Sequence, residues 1–221
     1  MKTVTLAVPT LRRYDLLAQL LIASAERGTR RPDHYYIVDN GGGFDPKAYG
    51  LPTERTTVFQ PGRNLGVSAS WNHGHRLLSE YVIWACDDME LHSNTVESLV
   101  AAADANPEVG FFYPENNAHT MFGVNLMRRW AFEKIGPYDE GFWPAYFEDN
   151  DYAYRIKLAG LPTMTVPGGM NHVVSATLKS YNEAEMQEHH SRFEALRAYY
   201  IKKWGGPPGQ ERFTTPFQGG R

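Results

Sequence analysis

The chain contains a single cysteine, Cys86, among 221 residues. That count excludes an internal disulfide framework and fits a reducing compartment. Long hydrophobic runs are also missing. No segment reaches the roughly 20 apolar residues needed to cross a bilayer, and no apolar segment of signal-peptide type opens the sequence. The expectation is a soluble, cytoplasmic protein without a membrane span. Excess positive charge is absent as well. The formal net charge is −3, which removes the electrostatic signature of a dedicated nucleic-acid binder. Internal repeats and a clear interdomain linker are not found. With 42% hydrophobic and 13% aromatic residues, the chain is still well supplied for a core, and its length suits one domain.

Strand and helix signals alternate through the first half. Thr3 to Val8 is a β-rich run closed by Pro9, and Tyr14 to Glu26 carries Leu16, Leu17, Leu20 and Leu21 at helical spacing. A buried strand at Tyr35 to Asp39 stops at Asn40-Gly41-Gly42-Gly43, a strong turn signal. Further strands are expected at Thr56 to Gln60, Tyr81 to Ala85 and Val109 to Tyr113. Helices are expected at Val67 to Ser79 and, opened by a capping-box-like Asn94 and Glu97, as far as about Asn106. Such alternation implies parallel pairing with right-handed crossovers, hence an α/β sheet covered by helices. The second half is less regular. It offers a strand at Met121 to Met127, a short helix at Arg129 to Ile135, and a helix from Phe147 or Glu148 to about Ala159. A final helix from Asn182 repeats Met186, His189, Phe193, Leu196 and Tyr200 on one face. Residues 205–221, rich in Gly and Pro, read as a mobile or loosely docked tail. Residues 1–204 remain as the folded unit.

Two acidic clusters stand against apolar segments. Asp87-Asp88 follows a strand, where α/β folds place ligand sites at the carboxyl ends of strands. Hard cations such as Mg²⁺ and Mn²⁺ want oxygen ligands and commonly bridge carboxylates to substrate phosphates. A solvated turn explains the pair equally well. Glu148-Asp149-Asn150-Asp151 falls at a helix start, where unpaired amides and the helix dipole stabilise acids. Asp151 and Arg155 have the spacing of a helix ion pair. Phe142, Trp143, Tyr146 and Phe147 precede this cluster, and a carboxylate among aromatics can have a raised pKa and act as a base.

The pieces between the clusters also form an ordered set. Val8-Pro9-Thr10 with Arg13 is followed by Ile37-Val38-Asp39-Asn40-Gly41, Arg63-Asn64-Leu65-Gly66 with Asn72 and Gly74, and Cys86-Asp87-Asp88-Met89-Glu90. Gly136-Pro137-Tyr138-Asp139-Glu140, Glu148-Asp149-Asn150-Asp151 with Arg155, and His172 complete it. Over roughly the first four-fifths of the chain this set resembles family 2 glycosyltransferases of the GT-A type. The resemblance implies a GT-A fold, a Rossmann-like, mostly parallel sheet in a single domain. Residues 1–115 would form the nucleotide-sugar half and residues 116–204 the acceptor and catalytic half. It implies a metal-dependent, inverting transfer of a sugar from a nucleoside diphosphate donor to a hydroxyl of a glycan or other acceptor, a modified nucleic acid included.

The resemblance also implies roles. Asp39 would contact the nucleotide base, with Pro9, Thr10 and Arg13 lining the base and ribose pocket and Arg63 and Asn64 near the sugar-nucleotide. Asp88 would be the principal ligand of Mn²⁺ or Mg²⁺, His172 would complete the metal site, and Asp87 would meet ribose or a metal-bound water. Cys86 stands where the family's metal motif more usually has an acid or amide, which leaves the number of protein ligands open. Asp149 would be the general base, with Glu148 as its rival. Two other readings stay open: a non-catalytic nucleotide-sugar or glycan-binding module, for which Cys86 speaks, and a nucleotidyltransferase. Against the latter, Val8-Pro9-Thr10-Leu11 is not the Gly-rich basic loop such enzymes use. The oligomeric state, the sugar and the donor base are not legible.

Overall fold

A computed structural model describes residues 2–75, 81–115, 121–172 and 182–218. The strands at the centre of the sheet are continuous apolar runs, as expected where both faces are covered by helices. β1 (Val4–Thr10) lies between β2 (His34–Asp39) and β4 (Tyr81–Ala85), and β3 (Thr56–Phe59) extends the β2 edge; all these pairings are parallel. Beyond β4 come β7 (Val124–Met127), antiparallel, then β6 (Phe111–Pro114) and β8 (Thr163–Val166), giving the order β3-β2-β1-β4-β7-β6-β8. A separate ribbon pairs β5 (Met89–Leu91) antiparallel with β9 (Met170–His172).

On one sheet face lie α1 (Tyr14–Leu16), the π-helical Leu17–Ile22 and α2 (Ala23–Glu26), followed across the sheet by α4 (Thr95–Ala105). Their Leu17, Leu21, Leu99 and Val100 pack on Leu6, Val8, Ile37, Ile83 and Leu126. The opposite face is covered by α3 (Gly66–Gly74), α5 (Arg129–Ile135) and α6 (Glu148–Leu158), through Trp71, Ala131, Tyr152 and Ile156. A third apolar cluster of Phe142, Phe147, Leu196, Tyr200 and Trp204 seats the long α7 (Glu183–Trp204) beside α6.

Several expectations need amendment. Pro9 does not close β1, which continues to Thr10. Pairing with β4 stops at Ala7, so the missing proline N–H falls where β1 has only β2 beside it and costs no ladder bond. The Asn94 side chain makes no cap, and Glu97 Oε2 instead accepts from Thr29 Oγ1 at 2.6 Å. The helix expected at Val67 to Ser79 begins at Gly66; residues 76–80 lie outside the described ones. The strand expected from Met121 begins only at Val124, and the three short strands β5, β8 and β9 had no place in the sequence reading.

The tail is docked, contrary to its composition. Amides of Arg212 and Phe213 donate to the Trp204 carbonyl at 3.0 Å, and that of Phe217 donates to the Lys203 carbonyl at 2.8 Å. These bonds satisfy the orphan carbonyls that any helix leaves at its C-terminus. Gly205, at φ 75°, makes the left-handed exit, and a Cβ there would sit 2.8 Å from the Phe213 ring. Tyr154 and Tyr200 hydroxyls donate to Phe213 O at 2.9 Å and Glu211 Oε1 at 2.6 Å. Truncation after Trp204 is therefore expected to destabilise the protein. At roughly 1 kcal/mol per lost hydrogen bond, and about 2–4 °C per kcal/mol for a chain of this size, the loss in melting temperature should be roughly 10–20 °C. A scanning-calorimetry shift under about 3 °C would mean the tail contributes nothing.

Candidate active site

The first turn of α6 lies within electrostatic reach of Cys86, just past the carboxyl end of β4, and the end of β1 joins this region through Thr10 and Asp87. At the end of β1, buried Thr10 donates from Oγ1 to Asp87 Oδ2 at 2.7 Å. Burial pushes the Asp87 carboxyl up to about 7, against the lowering effect of the Thr10 hydrogen bond. Arg13 forks onto Asp15, Nε to Oδ1 at 3.1 Å and Nη2 to Oδ2 at 2.8 Å, and its charge also acts on Asp87 and Asp88. Pro9 lies half-buried beside Thr10.

Asp88 and His172 come from strand ends far apart in sequence and meet because β5 and β9 pair with Met89 opposite His172. Asp88 Oδ2 and His172 Nε2 are 3.2 Å apart, and the hydrogen bond to Asp88 raises the histidine's pKa above its ordinary value. Cys86, one step back, is held as a neutral thiol: burial, then the charges of Asp88, Asp87, Glu148 and Asp149, push its pKa well up. A thiol that keeps its proton is a poor ligand. The donor set left is carboxylate oxygen and imidazole nitrogen, which suits Mn²⁺ or Mg²⁺ and not a thiophilic ion. Among the described residues no group of three or more His, Cys, Asp or Glu side chains is placed to hold a metal. Substrate oxygens and water would complete the shell, as is usual for these cations.

The same four charges on Cys86 show that the two acidic clusters converge. Glu148 and Asp149 open α6 behind two residues in left-handed backbone, Tyr146 at φ 88° and Phe147 at φ 67°. Non-glycine residues seldom adopt this region, and consecutive ones need outside support. Support comes from α7: His189 and Phe193 pack on the Tyr146 ring, and Phe193 and Tyr200 on that of Phe147. Glu148 is 7% exposed and its Oε2 has no hydrogen-bond partner. Burial first, and the adjacent Asp149 second, raise its pKa to about 8. Asp149 is half-buried, accepts from the Asn150 amide at 2.7 Å, and is raised by burial.

The loops that follow β2 and β3 are tied to one another. Asp39 is 0% exposed. Its Oδ1 accepts from Tyr14 Oη at 2.7 Å and the Gly41 amide at 3.1 Å; its Oδ2 accepts from the Phe44 amide at 2.8 Å and Gln60 Nε2 at 3.1 Å. Burial opposes ionisation, but these donors hold the carboxyl below its ordinary range. Arg63 is exposed. Asn64 turns the chain into α3, with Oδ1 accepting from the Gly66 amide at 2.9 Å. Gly66, at φ 79°, is required there, because a Cβ would lie 2.8 Å from both Pro144 O and the Trp143 ring. The Trp143 indole donates to Asn64 O at 3.1 Å, and the Val67 amide donates to Pro144 O at 2.8 Å. The exposed Trp143 is thereby fixed beside the Asn64 turn, with the Arg192 guanidinium 4.5 Å from its ring. His73 and His75 are packing residues: His73 stacks on Phe59 and pairs with Tyr36 Oη, and His75 stacks on Phe132. Burial lowers the His75 pKa to about 3.

The family model described as glycosyl transferase family 2 matches residues 5–158. The chain belongs to glycosyl transferase family 2. Every site residue from Pro9 to Asp149 falls inside the match, whereas His172 and α7 lie beyond it. Two solved structures share the GT-A glycosyltransferase fold with this family 2 chain. One is GalNAc-T7 with UDP, GalNAc and Mn²⁺, at a TM-score of 0.66 and 12% identity over 92% of this chain and 51% of its own. The other is the mannosyltransferase PcManGT from Pyrobaculum calidifontis with GDP-Man and Mn²⁺, also at 0.66, with 17% identity over 94% of this chain and 66% of its own. This chain thus spans half to about two-thirds of the length of those proteins. Among curated proteins none matches the sequence. No helix among the described residues is long and apolar enough to cross a membrane.

Proposed function

We propose that this family 2 chain is a metal-dependent, inverting glycosyltransferase that moves a sugar from a nucleoside diphosphate to an acceptor hydroxyl. The observation that carries this reading is the convergence of Asp87, Asp88, Glu148 and Asp149 on Cys86, with His172 beside Asp88. This supports candidate cation ligands and a candidate basic carboxylate near one another at the strand ends, which is what a donor diphosphate and an attacking hydroxyl each require.

Asp88 and His172 are the residues that would hold a divalent cation, whose charge would neutralise the departing diphosphate. Thr10, Asp87 and Arg13 line the donor side, with Arg63 and Asn64 at the mouth. Asp39 shapes the loop under the base. A base reaching its carboxylate would take the place of Gln60, the exposed one of its side-chain donors. Asp149 accepts the proton of the acceptor hydroxyl while the oxygen forms its bond to the anomeric carbon. The bond from that carbon to the phosphate oxygen breaks on the opposite face, and the nucleoside diphosphate leaves with the electron pair. Glu148, raised further from its ordinary value by burial beside Asp149, keeps its proton at neutral pH and is not the base.

The test is a thermal-shift series with UDP-, GDP- and dTDP-sugars. A donor at 100 times its Kd should stabilise by about 2.7 kcal/mol, a rise of roughly 5–11 °C. The rise is expected with Mn²⁺ and lost in excess EDTA or in Asp88→Asn. Equal shifts with Mn²⁺ and with EDTA would remove the metal from the reading.

A further inference from the structure

The family match ends at residue 158, yet α7, well beyond it, places a lysine inside the protein. We propose that Lys203 is a positioning residue for sugar transfer, fixing the first turn of α6, and with it Glu148 and Asp149, against the donor half of the cleft. The proposal rests on the reading of that turn as the carrier of the base.

Lys203 is 5% exposed, and lysine is almost never buried unless paired. Here it is paired twice: Nζ lies 2.6 Å from Asp151 Oδ1 and 2.7 Å from Asp139 Oδ2. Asp151 belongs to the turn that carries the carboxylates. Its amide donates to the Phe147 carbonyl at 2.9 Å, closing that turn, so holding the Asp151 side chain holds the turn. Arg155 Nε and Trp204 Nε1 reach the same carboxylate at 3.0 and 2.8 Å.

Asp139 leads the other way. It sits between Tyr138 and Glu140, whose carbonyl and carboxylate accept from Asn72 Nδ2 at 2.9 and 3.0 Å. The Tyr138 amide donates back to Asn72 Oδ1 at 2.7 Å. Asn72 is on α3, the helix that opens directly from Arg63 and Asn64. One ammonium therefore joins the helix bearing the base to the segment anchored on the donor helix. The charges balance, Lys203 and Arg155 against Asp139 and Asp151, and the same α7 grips Tyr146 and Phe147 upstream of the base. The distance between the attacking hydroxyl and the donor depends on how these two halves sit, and an error of about 1 Å there costs on the order of 10²-fold in rate.

The test compares Lys203→Met and Lys203→Met/Asp139→Asn with the parent chain. The double variant removes one charge of each sign and leaves Asp151 with Arg155, so it keeps the network neutral should the single variant not fold. Donor Kd with Mn²⁺ is measured by calorimetry. Release of nucleoside diphosphate from the nucleotide sugar that binds, with water as acceptor, gives kcat and KM per folded molecule. The expected result is a kcat lower by about 10²-fold with Kd and KM within about threefold. A double-variant kcat within about threefold of the parent, or a loss confined to Kd, overturns the proposal. Asp149→Asn in the same assay separates the two readings. If it is slow while the Lys203 variants are fast, only the positioning role falls. If it is fast while they are slow, the base is Glu148 and the positioning role stands.

Discussion

Asp149→Asn is expected to slow sugar transfer by about 10²–10⁴-fold, the usual worth of general-base assistance, while donor affinity survives. Asparagine keeps the shape of the side chain and its contact with the Asn150 amide, and removes only basicity. A group that acts in the chemical step contributes in the transition state, so kcat should fall with little change in donor Kd. Glu148→Gln should do less, because burial against Asp149 already keeps Glu148 protonated at neutral pH, with a pKa of about 8. Its raised folded pKa also carries a stability sign. The neutral carboxyl favours the folded state fully below the ordinary glutamate value of about 4.3, and this contribution is lost as pH rises toward about 8. Glu148→Gln should therefore flatten the decline in melting temperature between about pH 4.3 and about 8, and Asp149→Asn, which removes a second raised carboxyl and its charge beside Glu148, should flatten it as well. Stopped-time assays over pH 5–9 with the binding donor give the first answer, and scanning calorimetry over the same range gives the second. Near-parental transfer by Asp149→Asn, with a dead Glu148→Gln, would move the base to Glu148.

How far the sequence disclosed this architecture depended on whether each signal was local. β1, β2 and β4 were legible because strands buried on both faces are continuous apolar runs, and Asn40-Gly41 marked the turn after Asp39. The Asp151–Arg155 pair was legible because it is one helical turn apart, and the structure closes it at 3.0 Å. β5 and β9 were not, since each is three residues long and exists only through its partner about 80 residues away. Asn94 and Glu97 fitted a capping box, but Thr29 claims the glutamate. Tyr146 and Phe147 carry no mark of left-handed backbone, because aromatic residues rarely adopt it and only α7 makes it tenable here. The tail looked loose from its Gly and Pro content; what docks it is the set of orphan carbonyls at the end of α7, a tertiary demand that composition does not register. The candidate site divides in the same way. Its acids were visible as strand-end and helix-start clusters, whereas Lys203 reaches Asp139 across 64 residues and nothing near it in sequence announces the contact.

Asp151→Asn is expected to cost about 3–5 kcal/mol of stability, the usual effect of removing one partner from a buried ion pair. Asp151 is 0% exposed and accepts from Arg155, Lys203 and Trp204 at once. Replacing it leaves Lys203, itself buried, with Asp139 alone, and leaves the Arg155 guanidinium with the carbonyls of Ile135 and Pro137. The cost comes from uncompensated charge more than from a lost contact, so a second change that removes the excess charge should recover part of it. Asp151→Asn/Lys203→Met is accordingly expected to be more stable than the sum of its single changes, by a coupling of about 0.5–3 kcal/mol. Acid should erode the same network. Burial works against the Asp139 charge, but Lys203 holds the carboxyl below its ordinary range. Its contribution is present above about pH 4 and lost as pH falls through the lowered value. Urea unfolding of the four chains at pH 7 and at about pH 2, below the lowered value, measures both effects. Strict additivity at pH 7 would show that Lys203 and Asp151 are neighbours without being partners, and that packing of Trp204 and Tyr200 alone seats α7 on α6.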